Sequence, residues 1–430
     1  MNKPLTIAVA GLGTVGTGVV RLLADNAAAL ERRCGRSLKL VAVSARDKKR
    51  KRGIDLAGVK WFDDPVAMAK AKGIDVVVEL IGGADGVARK TVEAAIKAGR
   101  HVVTANKALL AHHGYELAKA AEKQGVQLAF EAAVAGGIPI IKALREGLAG
   151  NKISRVYGIL NGTCNFILTE MRRTKRDFAV VLKEAQAKGY AEADPSFDVD
   201  GVDAAHKLAV LSAVAFGAKV NFKAVHVEGI RHISALDIAF AQELGFRIKL
   251  LGLAERTDVG IAQRVHPCLV RLNTPIAHVE GVFNAVVAEG DFVGQAVFQG
   301  RGAGQGPTAS AVASDLVDIA RGSRVPTFSV PVHALDTAKP VPMTQHVGAY
   351  YIRLMVTDRP GVIADVTAAF RDARISLESM LQRSRDPKEA VPVVLVTHET
   401  RESAMRSALA KIAALATVQE PPRVIRIEEP

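Results

Sequence analysis

The stretch Leu5-Thr6-Ile7-Ala8-Val9-Ala10-Gly11-Leu12-Gly13-Thr14-Val15-Gly16 decides how the first part of this chain folds. Six apolar or β-branched residues read as a buried strand. They run into G-x-G-x-x-G, and an amphipathic helical pattern follows. In that setting the glycines permit a tight turn and close backbone approach to a pyrophosphate seated on the positive end of the helix. A merely glycine-rich turn is the alternative. Further strand patterns at 38–43, 75–81, 101–104 and 127–131 alternate with helical ones at 16–32 and 88–98. Such alternation implies a parallel sheet covered on both faces, a doubly wound dinucleotide-binding domain over 1–135. Gly11, Leu12, Gly13, Thr14, Val15 and Gly16 are its expected cofactor contacts. The second strand ends in Val43-Ser44-Ala45-Arg46, with no carboxylate at its tip to hold a ribose 2′-hydroxyl. Arg46, Lys48 and Lys49 suit a 2′-phosphate, so NADP is preferred, while the nearby Asp47 keeps NAD open.

Working outward, the pattern changes after residue 136. Helical stretches at 138–148, 164–171, 180–188, 202–216 and 235–253 precede strand-like 282–288 and 294–298, giving an α+β domain over 136–307. A helix from Thr308 (about 308–325) is expected to rejoin the first sheet. Proline and polar residues over 326–348 read as a linker. Residues 349–430 carry the order βαββαβ, a ferredoxin-like unit expected to stand apart. The composition is ordinarily globular, with 49% hydrophobic and 23% charged residues, which excludes a disordered chain. No apolar run is long enough for a membrane span, and no signal-peptide pattern opens the chain. Three scattered cysteines show neither disulfide nor zinc spacing, so a reducing cytoplasm is expected. The net charge of +13 concentrates at 46–52 and 172–176 without interleaved aromatics. It reads as solvated surface or small-anion attraction and not as a nucleic-acid face.

The chemistry concentrates in Gly189-Tyr190-Ala191-Glu192-Ala193-Asp194-Pro195-Ser196-Phe197-Asp198-Val199-Asp200-Gly201-Val202-Asp203-Ala204-Ala205-His206-Lys207. So many carboxylates repel one another unless they hold a cation, whether a metal, a lysine or a substrate ammonium; otherwise the segment is a solvated acidic turn. Asp203 and Lys207 lie four apart on a helix and share a face, and a lysine near a carbonyl can supply the proton that balances hydride delivery. Lys107, in Thr104-Ala105-Asn106-Lys107, follows the fourth strand pattern of the first sheet. It is expected at the carboxyl edge facing the ligand crevice. Glu131-Ala132-Ala133-Val134-Ala135-Gly136-Gly137-Ile138-Pro139 exposes backbone carbonyls beside one carboxylate. It reads either as a site for a hard cation or as a plain turn entering a helix.

These segments resemble the homoserine dehydrogenase family in its long bacterial form with a C-terminal ACT domain. Further matches are Gly158-Ile159-Leu160-Asn161-Gly162-Thr163-Cys164-Asn165, Phe283-Asn284-Ala285-Val286 and Gly302-Ala303-Gly304. The resemblance spans essentially the whole chain. It implies reversible NAD(P)H-dependent reduction of L-aspartate 4-semialdehyde to L-homoserine, on the route to threonine and methionine. By motif, it implies Lys207 as proton donor with Asp203 beside it, and Lys107 contacting cofactor and substrate. It also implies Glu192 and Asp198 around the substrate, and Ala45, Ala105, Gly189 and Gly302 near the cofactor. A sodium ion would be held by Glu131 and the backbone of Val134, Gly136 and Ile138. Asp358-Arg359-Pro360-Gly361-Val362-Ile363-Ala364 resembles the ACT turn, which implies an amino-acid effector, L-threonine, at Asp358 and Gly361; the alternative is a dimerisation module without a ligand. A homodimer or homotetramer is expected. Cys164 stands where the family pattern has threonine. It opens one rival reading, an acylating semialdehyde dehydrogenase with a cysteine nucleophile. A second rival is a nucleotide-binding regulator without turnover.

Overall fold

A computed structural model describes residues 3–383 and 389–429. Six strands form a parallel sheet: β1 (Leu5–Ala10), β2 (Leu38–Ser44), β3 (Lys60–Phe62), β4 (Val76–Glu79), β5 (His101–Thr104) and β6 (Leu128–Ala129), in the order β3-β2-β1-β4-β5-β6. Ile7 and Val9 of β1 enter one hydrophobic cluster while Ala8 and Ala10 enter another. Burial on both faces is why these strands show apolar runs and no alternation. The order reverses between β1 and β4, which places a ligand crevice at their carboxyl ends. The helix expected over 16–32 is two helices, Thr14–Asp25 and Ala27–Cys34, with Asn26 between them. The Gln305–Arg321 helix lies against the first of these. Gln305 Nε2 donates to Thr14 O at 3.0 Å and to Thr17 Oγ1 at 3.1 Å, and Ala309, Val312 and Leu316 share the cluster of Ile7 and Val9.

The rest of the chain is organised on a second, eleven-stranded sheet. The helix expected over 235–253 stops early. Ala235–Glu243 is helical under a Ser234/Asp237 capping box, Gly245 turns at φ 82°, and Phe246–Thr257 then pairs antiparallel with Gly260–Arg271. Residues 246–250 alternate apolar and charged side chains, but 250–254 form an apolar run buried throughout, and such a run cannot be told from a buried helix by periodicity. The residues expected to form a linker lie as a strap across both the dinucleotide-binding and the catalytic domains. Phe328 is buried 5.5 Å from the Phe130 ring, Val332 N donates to Glu122, and Lys339 O accepts from Ile261 N.

The βαββαβ order is present, as Val347–Thr357, Val362–Asp372, Leu377–Leu381, Ala390–Thr397, Glu402–Ala413 and Arg423–Glu428. It does not stand apart. The last strand pairs antiparallel with Val347–Thr357 and, on its other edge, parallel with Gly260–Arg271 through Cys268, Leu269 and Val270. One sheet therefore runs from the catalytic half into the C-terminal unit. No helix among the described residues is long and apolar enough to cross a membrane.

Candidate active site

At the carboxyl end of β1, Gly11 turns at φ 103°, and a Cβ there would fall 2.6 Å from Leu80 O. A Cβ on Gly16 would fall 1.9 Å from Gly11 O, so helix and strand can meet only without side chains at these two positions. A Cβ on Gly13 would meet nothing within 4 Å, which leaves open space where the pyrophosphate of a dinucleotide fits. A crevice of about 500 Å³ follows, lined among others by Leu12, Gly13, Ala45, Arg46, Arg50 and Arg52. Asp47 Oδ1 accepts from the backbone of Lys49 and Arg50 at 2.8 and 3.2 Å, shaping the basic loop. Arg52 donates Nε to Leu12 O at 3.1 Å and Nη2 to Asp47 O at 2.6 Å, tying that loop to the glycine turn. Lys48 is not a lining residue; Arg50 and Arg52 are. Both belong to the basic 46–52 run, whose sequence is equally that of solvated surface or of small-anion attraction.

A second crevice of about 410 Å³ has Gly82, Gly83, Ala105, Lys107, Phe197 and His206 on its wall. Lys107 is placed by its neighbours. Asn106 caps the Lys107–Gln124 helix by accepting from Leu109 N and donates to Gly83 O. Thr104 Oγ1 donates to the fully buried Glu79, whose other oxygen accepts from Ile81 N and Gly82 N.

Behind that wall lies a buried charge cluster. The Val202–Phe216 helix carries Asp203 and Lys207, which are 4% and 9% exposed. Lys207 Nζ donates to Asp203 Oδ2 at 2.6 Å and to Leu160 O at 2.8 Å, while Lys107 Nζ lies 3.1 Å from Asp203 Oδ1. Asn161 caps the Gly162–Thr174 helix and donates Nδ2 to Asp203 Oδ2 and to Asp198 Oδ1, at 2.9 and 2.8 Å. Burial alone would raise the Asp203 carboxyl, but the Lys207 and Lys107 ammonium groups override it and hold the carboxyl well below the usual range. Asp198 is pushed up, by burial and by the neighbouring Asp203 charge. Chemically, one carboxylate holds two amines, one of them on the wall of a crevice, the equipment for delivering a proton to an oxygen there.

Other expected residues lie elsewhere. The Glu192 side chain is exposed and, among the described residues, outside this cluster; its carbonyl accepts from Gln186. Gly189 follows the Phe178–Ala187 helix in a left-handed turn and lines neither crevice. Gly302 stands off the crevices, pressed against Asn284, where a Cβ would fall 2.2 Å from Cγ. Cys164 is fully buried, its Sγ 3.3 Å from Asp198 O, and burial pushes the thiol well up. It packs the helix start and offers no thiolate nucleophile. Asn161, Glu79, Arg50 and Arg52 are the residues sequence reasoning missed. An asparagine just ahead of a helix is a readable cap signal, but its second bond to Asp203 is not.

Glu131, 2% exposed, accepts from Ile141 N and Lys142 N at 2.9 Å each and donates its own N–H to Asp315. Burial and the Asp315 charge push its carboxyl up to about 7. Ala135 and Gly136, at φ 56° and 43°, follow one another in left-handed conformation, and Gly137 N donates to Arg301 O. A buried acid beside a turn of carbonyl-bearing backbone is a donor set that a hard cation fits. Asp358 and Gly361 lie at the turn before the Val362–Asp372 helix, with Gly361 left-handed at φ 95°.

Fold and site together define a nucleotide-dependent oxidoreductase: a dinucleotide-binding domain carrying Lys107, a catalytic domain whose Lys207 meets it across Asp203, and an appended ACT unit. Family models match in that order, the homoserine dehydrogenase NAD-binding domain over residues 11–131, homoserine dehydrogenase over 139–317 and the ACT domain over 350–416. The chain is 46% identical over 432 residues to homoserine dehydrogenase of Neisseria gonorrhoeae, covering 99% of both chains. It is also 46% identical to that of Pseudomonas aeruginosa, again over 99% of each. A homoserine dehydrogenase structure from Thiobacillus denitrificans superposes with a TM-score of 0.94 at 47% identity over 99% of both chains. A hyperthermophilic archaeal homoserine dehydrogenase solved with NADPH superposes with a TM-score of 0.62 at 26% identity, over 74% of this chain and 97% of that one. The chain belongs to the homoserine dehydrogenase family. The cysteine-nucleophile and non-catalytic readings are set aside.

Proposed function

We propose that this homoserine dehydrogenase reduces L-aspartate 4-semialdehyde reversibly to L-homoserine with NADPH as the preferred reductant. The preference is supported by Arg46, Arg50 and Arg52 around the end of β2, by an Asp47 turned onto its own loop, and by the archaeal relative solved with NADPH. When bound, the reduced nicotinamide supplies the hydride that reaches the aldehyde carbon. Lys207 donates its proton to the oxygen as negative charge develops there, and Lys107 polarises the same oxygen from the crevice wall. Asp203 keeps both amines aimed, and Asp198 and Glu192 would meet the substrate, Glu192 at its ammonium. Glu131 with the Val134, Gly136 and Ile138 carbonyls would hold a sodium ion that fixes the turn beside the site. The ACT unit would take L-threonine at Asp358 and Gly361 as feedback inhibitor. The exposed Phe283, Phe292, Val293 and Val297 on the outermost hairpin suit a second copy of the chain.

The observation that carries this reading is the single carboxylate of Asp203, behind the crevice wall, joined both to Lys207 and to the wall residue Lys107. Absorbance at 340 nm with the semialdehyde tests it. Oxidation of NADPH faster than NADH, slowed by threonine, is the expected result, and no consumption of either cofactor would overturn it.

A further inference from the structure

The last strand of the chain reaches back into the catalytic half. Arg426, 5% exposed, lies opposite Cys268 on one side and Tyr350 on the other. Its guanidinium is shared between two carboxylates. Nη1 and Nη2 donate to Glu228 at 2.8 and 2.9 Å, while Nε and Nη2 donate to Glu402 at 2.9 and 2.8 Å. Glu402 opens the second helix of the ACT unit and also accepts from Tyr350 OH at 2.9 Å. Glu228 belongs to the catalytic domain, where its N–H donates to Val265 O at 2.7 Å. Charge-assisted bonds made in pairs fix geometry as well as adding energy, so Arg426 is a stiff connector between the two units.

Glu228 leads directly to the acidic turn of the site. The next residue, Gly229, lies so close to that turn that a Cβ would fall 2.2 Å from Val199 O and 2.5 Å from Asp200 Cα. Ile230 N donates to Val199 O at 2.9 Å, and Arg231 pairs with Asp200 and donates to Ser196 Oγ. Residues 228–231 are therefore the bed on which the 196–200 turn rests. Asp198 stands in that turn and connects through Asn161 to Asp203.

We propose that Arg426 is a positioning residue for the reaction: an ACT-unit side chain that, through Glu228, sets where the 196–200 turn and its Asp198 meet the substrate. The proposal rests on the assignment of Asp198 to substrate binding. Arg426 touches neither cofactor nor the reacting atoms. A shift of the last strand changes affinity for the amino-acid substrate and leaves proton delivery by Lys207 in place.

Steady-state kinetics of full-length Arg426→Met, Arg426→Lys and Glu228→Gln test this, with Asp198→Asn measured alongside. Arg426→Met should raise KM for L-homoserine about tenfold, the scale of coupling through packed networks, with kcat and KM for NADP little changed. Arg426→Lys should recover part of the loss. The Glu228→Gln/Arg426→Met double variant should be no worse than the worse single one, because both break one link. Circular dichroism confirms folding, and Glu228→Gln, which keeps its shape, carries the test if Arg426→Met is insoluble. An unchanged KM in folded Arg426→Met and Glu228→Gln overturns the proposal, as does a parallel fall of every parameter with the folded fraction. A raised KM in Asp198→Asn with none in these variants overturns the connector alone. An unchanged KM in Asp198→Asn removes the substrate assignment beneath it and the proposal with it.

Discussion

The two crevices on either side of residue 81 are built by opposite means. The one toward β2 uses bare backbone, Gly11 and Gly13, and guanidinium groups that reach out from an exposed loop. The one toward Lys107 borders a cluster where a buried carboxylate and a buried ammonium lie 2.6 Å apart. Charges in water are screened and worth little singly, whereas charges out of water are strong and cannot lose a partner without penalty. The cofactor side should therefore respond to substitution gradually, and the chemical side abruptly.

The largest effect is expected at Lys207. In Lys207→Ala, turnover should fall about a thousandfold, within the usual range for removing a general acid, while a fluorescence titration finds NADPH affinity nearly unchanged. Near-normal turnover would remove Lys207 from the chemistry. Asp203→Asn comes next, because both amines lose the group that aims them. A loss in kcat of about a hundredfold is expected for misplacement on the ångström scale, read in the same 340 nm assay. The same variant has a pH signature. Asp203 is held below the ordinary carboxylate range, so its stabilising effect is present above that range and lost as pH falls beneath it. The melting-temperature gap between wild type and Asp203→Asn should stay level from about pH 8 to 5 and close only below about pH 4. A gap that closes nearer neutrality would mean that the pair does not hold the carboxyl down.

On the cofactor side, Arg46→Glu should shift the NADPH-to-NADH ratio of kcat/KM by about tenfold toward NADH, as one exposed cation among three. An unshifted ratio would show that Arg50 and Arg52 read the phosphate without it. The smallest effect belongs to Cys164→Ser, a near-isosteric change at a packed position, which should leave turnover within about twofold. A collapse of activity there would return the buried thiol to the mechanism.

The same contrast explains what could be read before the coordinates. The glycine turn and the βαββαβ order are local patterns, and both are present in the fold. The i,i+4 spacing of Asp203 and Lys207 is local too. Lys107 meeting Asp203, Asn161 bridging two carboxylates, and Arg52 holding Leu12 are pairings between distant parts of the chain that no periodicity encodes. The Phe246–Thr257 strand was hidden for a different reason: its brief alternation over 246–250 runs into 250–254, which is buried throughout and lacks the alternation that marks a strand. The polar and proline residues of 326–348 did mark irregular backbone, but Phe328 and Val332 anchor it on the dinucleotide-binding domain, at Phe130 and Glu122. Glu192, by contrast, is legible only as a motif match, and its side chain stands exposed outside the buried cluster.

The most direct test is a stopped-flow single turnover of NADPH with the semialdehyde, comparing wild type with Lys207→Ala with and without added methylamine. The account predicts hydride transfer slowed about a thousandfold in the variant and partly restored, with saturation, by the small amine. Transfer at the wild-type rate in the variant without any amine would contradict it.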